Sequence, residues 1–334
     1  MKVLVTGGTG YIGSHTVVEL QNKSYDVTII DNLSNSNIEV VDKIGKITGI
    51  KPEFHKIDLL DYRELDKFIR DNCFEAVLHF AGLKAVEESV REPMKYYENN
   101  VLGSINLFKA MRKYDVKNLI FSSSATVYGE AEKMPVTEEY PTGATNPYGN
   151  SKLIIESICR DLQRSDRAWN FILLRYFNPV GCHSSGLIRE EPMGIPNNLF
   201  PYIIRVAEGK AEYLSIYGND YQTADGTGVR DYIHVVDLAK GHIKALEFMK
   251  MYTGLEVFNL GTGKGYSVLE VVKEFMKVNQ VNVPFRFSNR REGDIGISYA
   301  DASKAANEMG WKAVKGLDEM VKIIDSKRDK HSEQ

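Results

Sequence analysis

A chain of 334 residues, 43% of them hydrophobic, can bury a large core in two domains or in one elaborated domain. Its 42 basic and 45 acidic side chains leave a net charge of −3 with no long run of either sign, which argues against nucleic acid or a membrane surface as partner. Cys73, Cys159 and Cys182 are widely spaced and form no Cys-x-x-Cys, so they fit a reducing compartment rather than a disulfide framework or zinc site, and the seven histidines show no metal-ligand spacing.

The chain begins MKVLVTGG, where a few apolar residues run straight into turn glycines. That is too short for a secretory segment, and no run of about 18 apolar residues follows, so a cytoplasmic protein is expected. KVLVT predicts a strand, and VLVTGGTGYIGSHTVVEL places Gly8, Gly10 and Gly13 in a G-x-G-x-x-G at the opening of a helix, with Gly7 setting a second spacing, G-x-x-G-x-x-G. Such glycines allow a tight turn and close approach of backbone to a pyrophosphate at a helix N-terminus. The next strand, DVTIID, ends in Asp31, at the distance where a carboxylate accepts hydrogen bonds from an adenosine ribose and repels a 2′-phosphate; NAD is therefore expected over NADP.

PEFHKID, EAVLHFAG, KNLIFSSS and WNFILLRYF predict further strands, with amphipathic helices between most of them. This alternation implies βαβ units and a parallel sheet covered on both faces. From about Val180 the pattern becomes irregular, while DYIHVVDLAKGHIKAL and LEVFNLGTG read as loop, helix and strand returning to the first region. The division expected is residues 1–178 as a dinucleotide-binding domain with a return near 229–260, and 179–228 with 261–334 as a second, substrate-binding domain. NLGTGKGYS fails the G-x-x-x-x-G-K spacing of a phosphate loop because Phe258 stands at its first position, so it reads as a structural turn. No G-x-S-x-G elbow supports a hydrolase.

TNPYGNSK holds the chemistry. Asn146 caps a helix, Pro147 suits its first turn, and Tyr148 and Lys152 fall one above the other, the one Tyr-x-x-x-Lys among 18 tyrosines. A phenol with a pKa of about 10 is a poor base at neutral pH. An ammonium roughly 5 Å away, at an effective dielectric of about 20, contributes on the order of 3 kcal/mol and is expected to lower that pKa by about two units. Tyr148 would then exchange a proton with a substrate hydroxyl near pH 7.

With TGGTGYIG, Asp31, HFAGLKAV, SSSATVYG and Tyr148-x-x-x-Lys152 in this order, the sequence resembles the extended short-chain dehydrogenase/reductase superfamily. Through LRYFNPVG, GIPNNLFPYI, IYGNDYQTADGTGVRDYIHVVDLA, NLGTGKGYSV and RREGD it is similar, over nearly all its length, to the UDP-glucose 4-epimerase family within it. It departs at Asn150, where many members carry a lysine. The resemblance implies a Rossmann-type doubly wound parallel sheet with a smaller C-terminal α/β region, in an α/β protein. It also implies an isomerase that interconverts UDP-glucose and UDP-galactose with retained NAD. Tyr148 would take the proton from O4 while hydride leaves C4. Lys152 would tune Tyr148 and hold the nicotinamide ribose, and Ser124 would hydrogen-bond the same oxygen. The 4-keto sugar would swing round and take hydride back on its other face.

By the same resemblance Gly7, Gly10, Tyr11, Ile12, Gly13, Asp31, Asn32, Asn35 and Ser36 would hold the pyrophosphate and adenosine end of NAD, with Asp58 and Leu59 at adenine. Phe80, Ala81, Gly82, Lys84, Asn99 and Phe177 would line the path to nicotinamide. Asn178, Asn197, Asn198, Leu199, Tyr217, Arg230, Arg291 and Asp294 would take the nucleotide sugar, the two arginines suiting a diphosphate because a guanidinium stays charged and grips oxygens bidentately. Related dehydratases and decarboxylases place an acid shortly after the active-site serine or threonine, where this chain has Ala125-Thr126-Val127. In epimerases of this family the fourth residue after the Asp of RREGD walls the hexose; here it is Ser298, small enough to imply activity on UDP-GlcNAc and UDP-GalNAc as well. No metal is expected. A homodimer is implied, with helices around residues 93–114 and 148–164 pairing. An NAD-sensing module without activity would be expected to have lost Tyr148 or Lys152, and an oxidoreductase that releases NADH differs only in how tightly the cofactor stays.

Overall fold

The computed structural model describes residues 1–192, 194, 196, 198–291 and 294–324. Seven strands form the main sheet: β1 (Lys2–Thr6), β2 (Asp26–Asp31), β3 (Glu53–Lys56), β4 (Ala76–His79), β5 (Asn118–Ser124), β6 (Asn170–Tyr176) and, much later in the chain, β10 (Leu255–Leu260). Their order is β10-β6-β5-β4-β1-β2-β3 and every pairing is parallel. The strand order runs outward in both directions from β1 and β4, so loops leaving the carboxyl ends of these two strands diverge to opposite faces and open a crevice between them.

Alternation along β1 sets the two layers. Val3 and Val5 pack with Val17, Val18 and Leu20 of α1 (Tyr11–Asn22), Ile44 of α2 (Glu39–Thr48) and Leu238 and Leu246 of α9 (Val235–Met249). Leu4 packs on the other face with Leu65 and Phe68 of α3 (Tyr62–Asp71), Leu107 and Phe108 of α6 (Gly103–Lys113) and Ile155 and Cys159 of α7 (Pro147–Ser165). Both faces are covered, as a parallel sheet requires. Between β4 and α6 run two short helices, α4 (Val86–Arg91) and α5 (Pro93–Tyr96), and a π-helical turn over Tyr97–Leu102.

A second sheet joins β7 (Asn178–Val180), β9 (Val229–His234), β11 (Gly265–Ser267) and β13 (Ile297–Ser298), with β9 pairing all three others, and β8 (Leu214–Tyr217) pairs β12 (Phe285–Ser288). Phe200 and Ile203 of α8 (Leu199–Ala207), Val271 and Phe275 of α10 (Val268–Asn279) and Met320 of α12 (Leu317–Val321) close a separate core over Leu214, Ile216 and Tyr232. A short helix, α11 (Ser303–Met309), packs against α9 and β10.

The structure differs from the sequence reading at DYIH. Instead of a loop, Asp231–His234 completes β9, all four residues being buried. The return to the main sheet is made by α9 and β10 alone. Asp231 explains the strand: its carboxylate accepts from Thr262 N (2.8 Å), Thr262 Oγ1 (2.6 Å), Gly263 N (3.0 Å) and Ala300 N (3.1 Å). The glycine-rich NLGTGKGYS is thus gripped as a structural turn. A Cβ at Gly261 would lie 2.5 Å from Asp231 Oδ2, which requires glycine there.

Candidate active site

The glycine turn lies between β1 and α1. Gly7 adopts φ +70°, and a Cβ there would stand 2.7 Å from Ala81 N; one at Gly13 would stand 2.3 Å from Gly7 O. Only hydrogen fits at either position. No side chain caps α1, so the N–H groups of its first turn face the crevice with the positive end of the helix dipole. Beside them Asp31, buried at the end of β2, accepts from Thr9 N (3.3 Å), Leu33 N (2.9 Å) and Ser36 Oγ (3.2 Å), which fixes its carboxylate toward the turn. A cradle that a single Cβ would fill, an uncapped helix start and a fixed carboxylate fit a dinucleotide without a 2′-phosphate.

One continuous cleft of about 1100 Å³ runs from this turn across the ends of β4, β5 and β6 to the second sheet. Every expected cofactor residue lines it: Gly7, Gly10, Tyr11, Ile12, Gly13, Asp31, Asn32, Asn35, Ser36, Asp58, Leu59, Phe80, Ala81, Gly82, Lys84, Asn99 and Phe177. So do Ser124, Tyr148 and Lys152, and, at the far end, Asn178, Asn198, Leu199, Tyr217, Arg230, Arg291 and Asp294. Asn197 lies outside the described residues. Ser298 is on β13 opposite Arg230 and is not among the lining residues.

The helix that carries Tyr148 and Lys152 forms as its sequence dictates. Asn146 accepts from Gly149 N (2.9 Å), and Pro147 occupies the first turn of α7. Tyr148 faces Ser124 at the end of β5, and the Lys152 ammonium lies 5.9 Å from the Tyr148 ring centroid while donating to Ser122 O (2.8 Å). The electrostatics differ from the expectation of a phenol brought near neutrality by lysine. Burial raises the Tyr148 pKa above its ordinary value, and the group that works against burial is the Ser124 hydroxyl. Burial also pushes the Lys152 pKa down to about 8, and its proton is engaged by a strand carbonyl. Desolvation, which spacing along the helix does not reveal, favours the neutral phenol.

Three supports were not legible as function. Asn100, in the π-helical turn, accepts from Leu83 N (2.8 Å) and donates to Leu83 O (3.0 Å) and Ser151 Oγ (3.0 Å), tying the loop after β4 to α7. Glu190 Oε1 accepts from both Lys84 Nζ (2.7 Å) and Asn198 Nδ2 (2.8 Å), so a residue expected on the path to nicotinamide and one expected at the nucleotide sugar meet on one carboxylate. Glu156, one turn past Lys152, pairs with Arg175. At the far end Arg230 NH2 lies 3.5 Å from Asp294 Oδ1 and the Arg291 guanidinium stacks 4.1 Å from the Tyr217 ring centroid, which leaves two cations beside an aromatic platform.

A family model described as GDP-mannose 4,6 dehydratase matches residues 4–324. The UDP-glucose 4-epimerase of Bacillus subtilis is 58% identical over 320 residues, covering 96% of this chain and 94% of that protein. The chain belongs to the UDP-glucose 4-epimerase family. The UDP-glucose 4-epimerase of Bifidobacterium longum, solved in complex with NAD+ and UDP, matches at a TM-score of 0.95 and 50% identity over 99% of both chains. That of Stenotrophomonas maltophila, solved with bound NAD and formylated UDP-arabinopyranose, matches at 0.95 and 47% over 99% of both. This epimerase-family chain differs from a dehydratase site in its chemistry. The turn after Ser124 (Ala125–Tyr128) offers Thr126 to the cleft and no carboxylate, so elimination lacks a proton carrier there.

Proposed function

We propose that the protein interconverts UDP-glucose and UDP-galactose by oxidation at C4 and re-reduction on the opposite face, with NAD retained. One observation carries this reading: Ser124, Tyr148 and Lys152 converge in a cleft that is continuous with the glycine turn at one end and with Arg230 and Arg291 at the other. When bound, NAD supplies the hydride acceptor and donor, and the positive charge of its oxidised form favours the phenolate. Tyr148 Oη takes the O4 proton and returns it after the sugar has turned, so proton and hydride both come back and no net redox change remains. Ser124 donates to the same oxygen, and Lys152 keeps the phenol environment cationic.

In this reading Gly7 to Gly13, Asp31 and the residues through Phe177 hold NAD, and Asn178, Asn198, Leu199, Tyr217, Arg230, Arg291 and Asp294 hold the UDP-sugar. Residues 1–177 with α9 and β10 (Val235–Leu260) form the cofactor domain, a return that starts after β9 and not at 229 as expected from the sequence, and 178–234 with the described residues from 261 to 324 form the substrate domain. Two copies pair through the helices around residues 93–114 and 148–164, the first of which exposes Met94 and Leu102. The enzyme works in the cytoplasm; its cysteines are free, and no helix among the described residues is long and apolar enough to cross a membrane.

We infer substrate breadth from Ser298, which does not line the cleft itself but stands on β13 directly opposite Arg230, which does. Its neighbour Tyr299 lies against Gly265, and neighbouring residues of an extended chain face opposite ways, so the bulky ring is not on the Ser298 side. The small residue supports room for a 2-acetamido group. Ser298→Tyr is expected to lose UDP-GalNAc conversion by roughly 100-fold, the effect of about 3 kcal/mol of overpacking, while UDP-galactose conversion stays within a few-fold. Product formation followed by NMR checks this, and equal losses on both substrates would contradict it.

A further inference from the structure

Ser124 caps the turn over Ala125–Tyr128, and an ordinary cap needs one bond, here from Thr126 N to Ser124 Oγ (3.2 Å). Thr126 adds a second: its side-chain Oγ1 also donates to Ser124 Oγ, at 2.9 Å. A serine hydroxyl has two acceptor lone pairs and one donor proton. Both lone pairs are therefore taken, and the proton has one direction left, into the cleft toward the Tyr148 phenol. Thr126 also packs close to the start of α7: a Cβ at Gly149, the residue after Tyr148, would lie 3.0 Å from Thr126 O and 3.1 Å from Thr126 Oγ1, so a glycine there lets the serine turn approach the helix.

We propose that Thr126 is a positioning residue for the reaction set out under the proposed function, on which this inference rests: it fills the acceptor capacity of Ser124 and so commits the Ser124 proton to the reacting oxygen. Donation into Ser124 also polarises its O–H, because consecutive hydrogen bonds strengthen one another. The Thr126 hydroxyl thus acts on Tyr148 at one remove. It favours the phenolate and does not touch the sugar oxygen itself.

The groups that face Tyr148 are few. Lys152 shares its helix, Tyr176 approaches from β6, and Tyr96 approaches from α5 with its hydroxyl donating to Glu88 Oε2 (2.8 Å), which also accepts from Lys95 through Oε1 (2.6 Å). None of these contacts involves the Thr126 side chain, which reaches the phenol through its bond to Ser124 and through its packing beside Gly149; Thr126→Val, close to threonine in shape, keeps the packing and removes the bond.

The test is the pH profile of kcat/KM for UDP-galactose with the protein as purified, comparing wild type with Thr126→Val, Thr126→Ala and Thr126→Ser. Val and Ala both keep the backbone cap; Val replaces the hydroxyl by a methyl of similar size, and Ala removes the hydroxyl and the methyl together. Both are expected to move the acid limb, which reports phenol ionisation, upward by about half a unit to one unit and to lower kcat roughly tenfold; Ser should restore both. Thermal unfolding of the variants shows whether they fold, and having two hydroxyl-free replacements keeps the test open if one does not. A profile that overlays wild type in the hydroxyl-free variants would overturn the proposal, as would a Ser variant impaired as much as Val. Ser124→Ala and Tyr148→Phe are run alongside. Full activity in both would show that the site itself was misread, a different failure from an unchanged profile when both are impaired.

Discussion

Tyr148→Phe is expected to lower kcat by about 10³-fold while leaving bound NAD and UDP affinity near wild type. The substitution removes one oxygen from the cleft and leaves the ring, Lys152 and Ser124 in place, so binding surfaces on both sides persist. What is lost is the proton carrier, and a positioned acid–base group contributes roughly 10²–10⁴-fold. Burial raises the Tyr148 pKa when the chain's own side chains are considered alone. The phenol therefore stays protonated, and cannot accept the O4 proton, unless Ser124 and the cofactor's positive charge stabilise its anion. Steady-state rates with UDP-galactose, together with NAD content after acid release, measure the two halves of this expectation. A kcat within tenfold of wild type would remove Tyr148 from the chemistry.

The second large effect is on stability. Glu156 is completely buried and accepts from Arg175 Nε (2.9 Å) and Arg175 NH2 (2.7 Å) in a bidentate pair, and also from Ser123 Oγ (2.6 Å) and Arg160 NH2 (3.0 Å). Arg175 is buried too, with its guanidinium 4.7 Å from the Tyr128 ring centroid. The pair joins α7 to β5 and β6, one turn beyond Lys152. Glu156→Ala leaves a guanidinium buried without its partner and is expected to cost about 3–5 kcal/mol. Chemical denaturation measures it, and a loss below about 1 kcal/mol would contradict the account. Replacing both partners, as in Glu156→Leu with Arg175→Met, should recover much of the loss because no charge remains buried.

The same pair gives a pH dependence. Burial acts to raise the Glu156 pKa, but Arg175, Ser123 and Arg160 together outweigh it and hold the carboxyl below the usual range. A carboxylate with a depressed folded pKa stabilises fully above its unfolded value of about 4.3, and that stability is lost as pH falls through the folded pKa.

Much of this was legible in the chain. KVLVT followed by spaced glycines predicted β1, the turn and α1, and the structure supplies the steric reason in the contacts a Cβ would make at Gly7 and Gly13. Asn146, Pro147, Tyr148 and Lys152 were readable because capping and the helical period are local properties. What was missed depends on neighbours in space. Arg175 meets Glu156 only because β6 lies beside β5, and Glu190 reaches Lys84 across 106 positions of sequence. Thr126 was read as the absence of an acid, since its bond to Ser124 Oγ exists only in the turn geometry. The Tyr148 pKa was misjudged for the same reason: spacing gives the distance to a charge but not the burial of the phenol. DYIH reads as a loop in the sequence because its pairing partners, β7 and β11, are only three residues long and come from separate parts of the chain.

The central claim is a retained-cofactor epimerase, and the most direct measurement is NMR of the purified protein incubated with UDP-galactose and no added NAD. The account predicts UDP-glucose accumulating to equilibrium with no net NADH formed. UDP-galactose left unchanged, even after NAD is added, would contradict it.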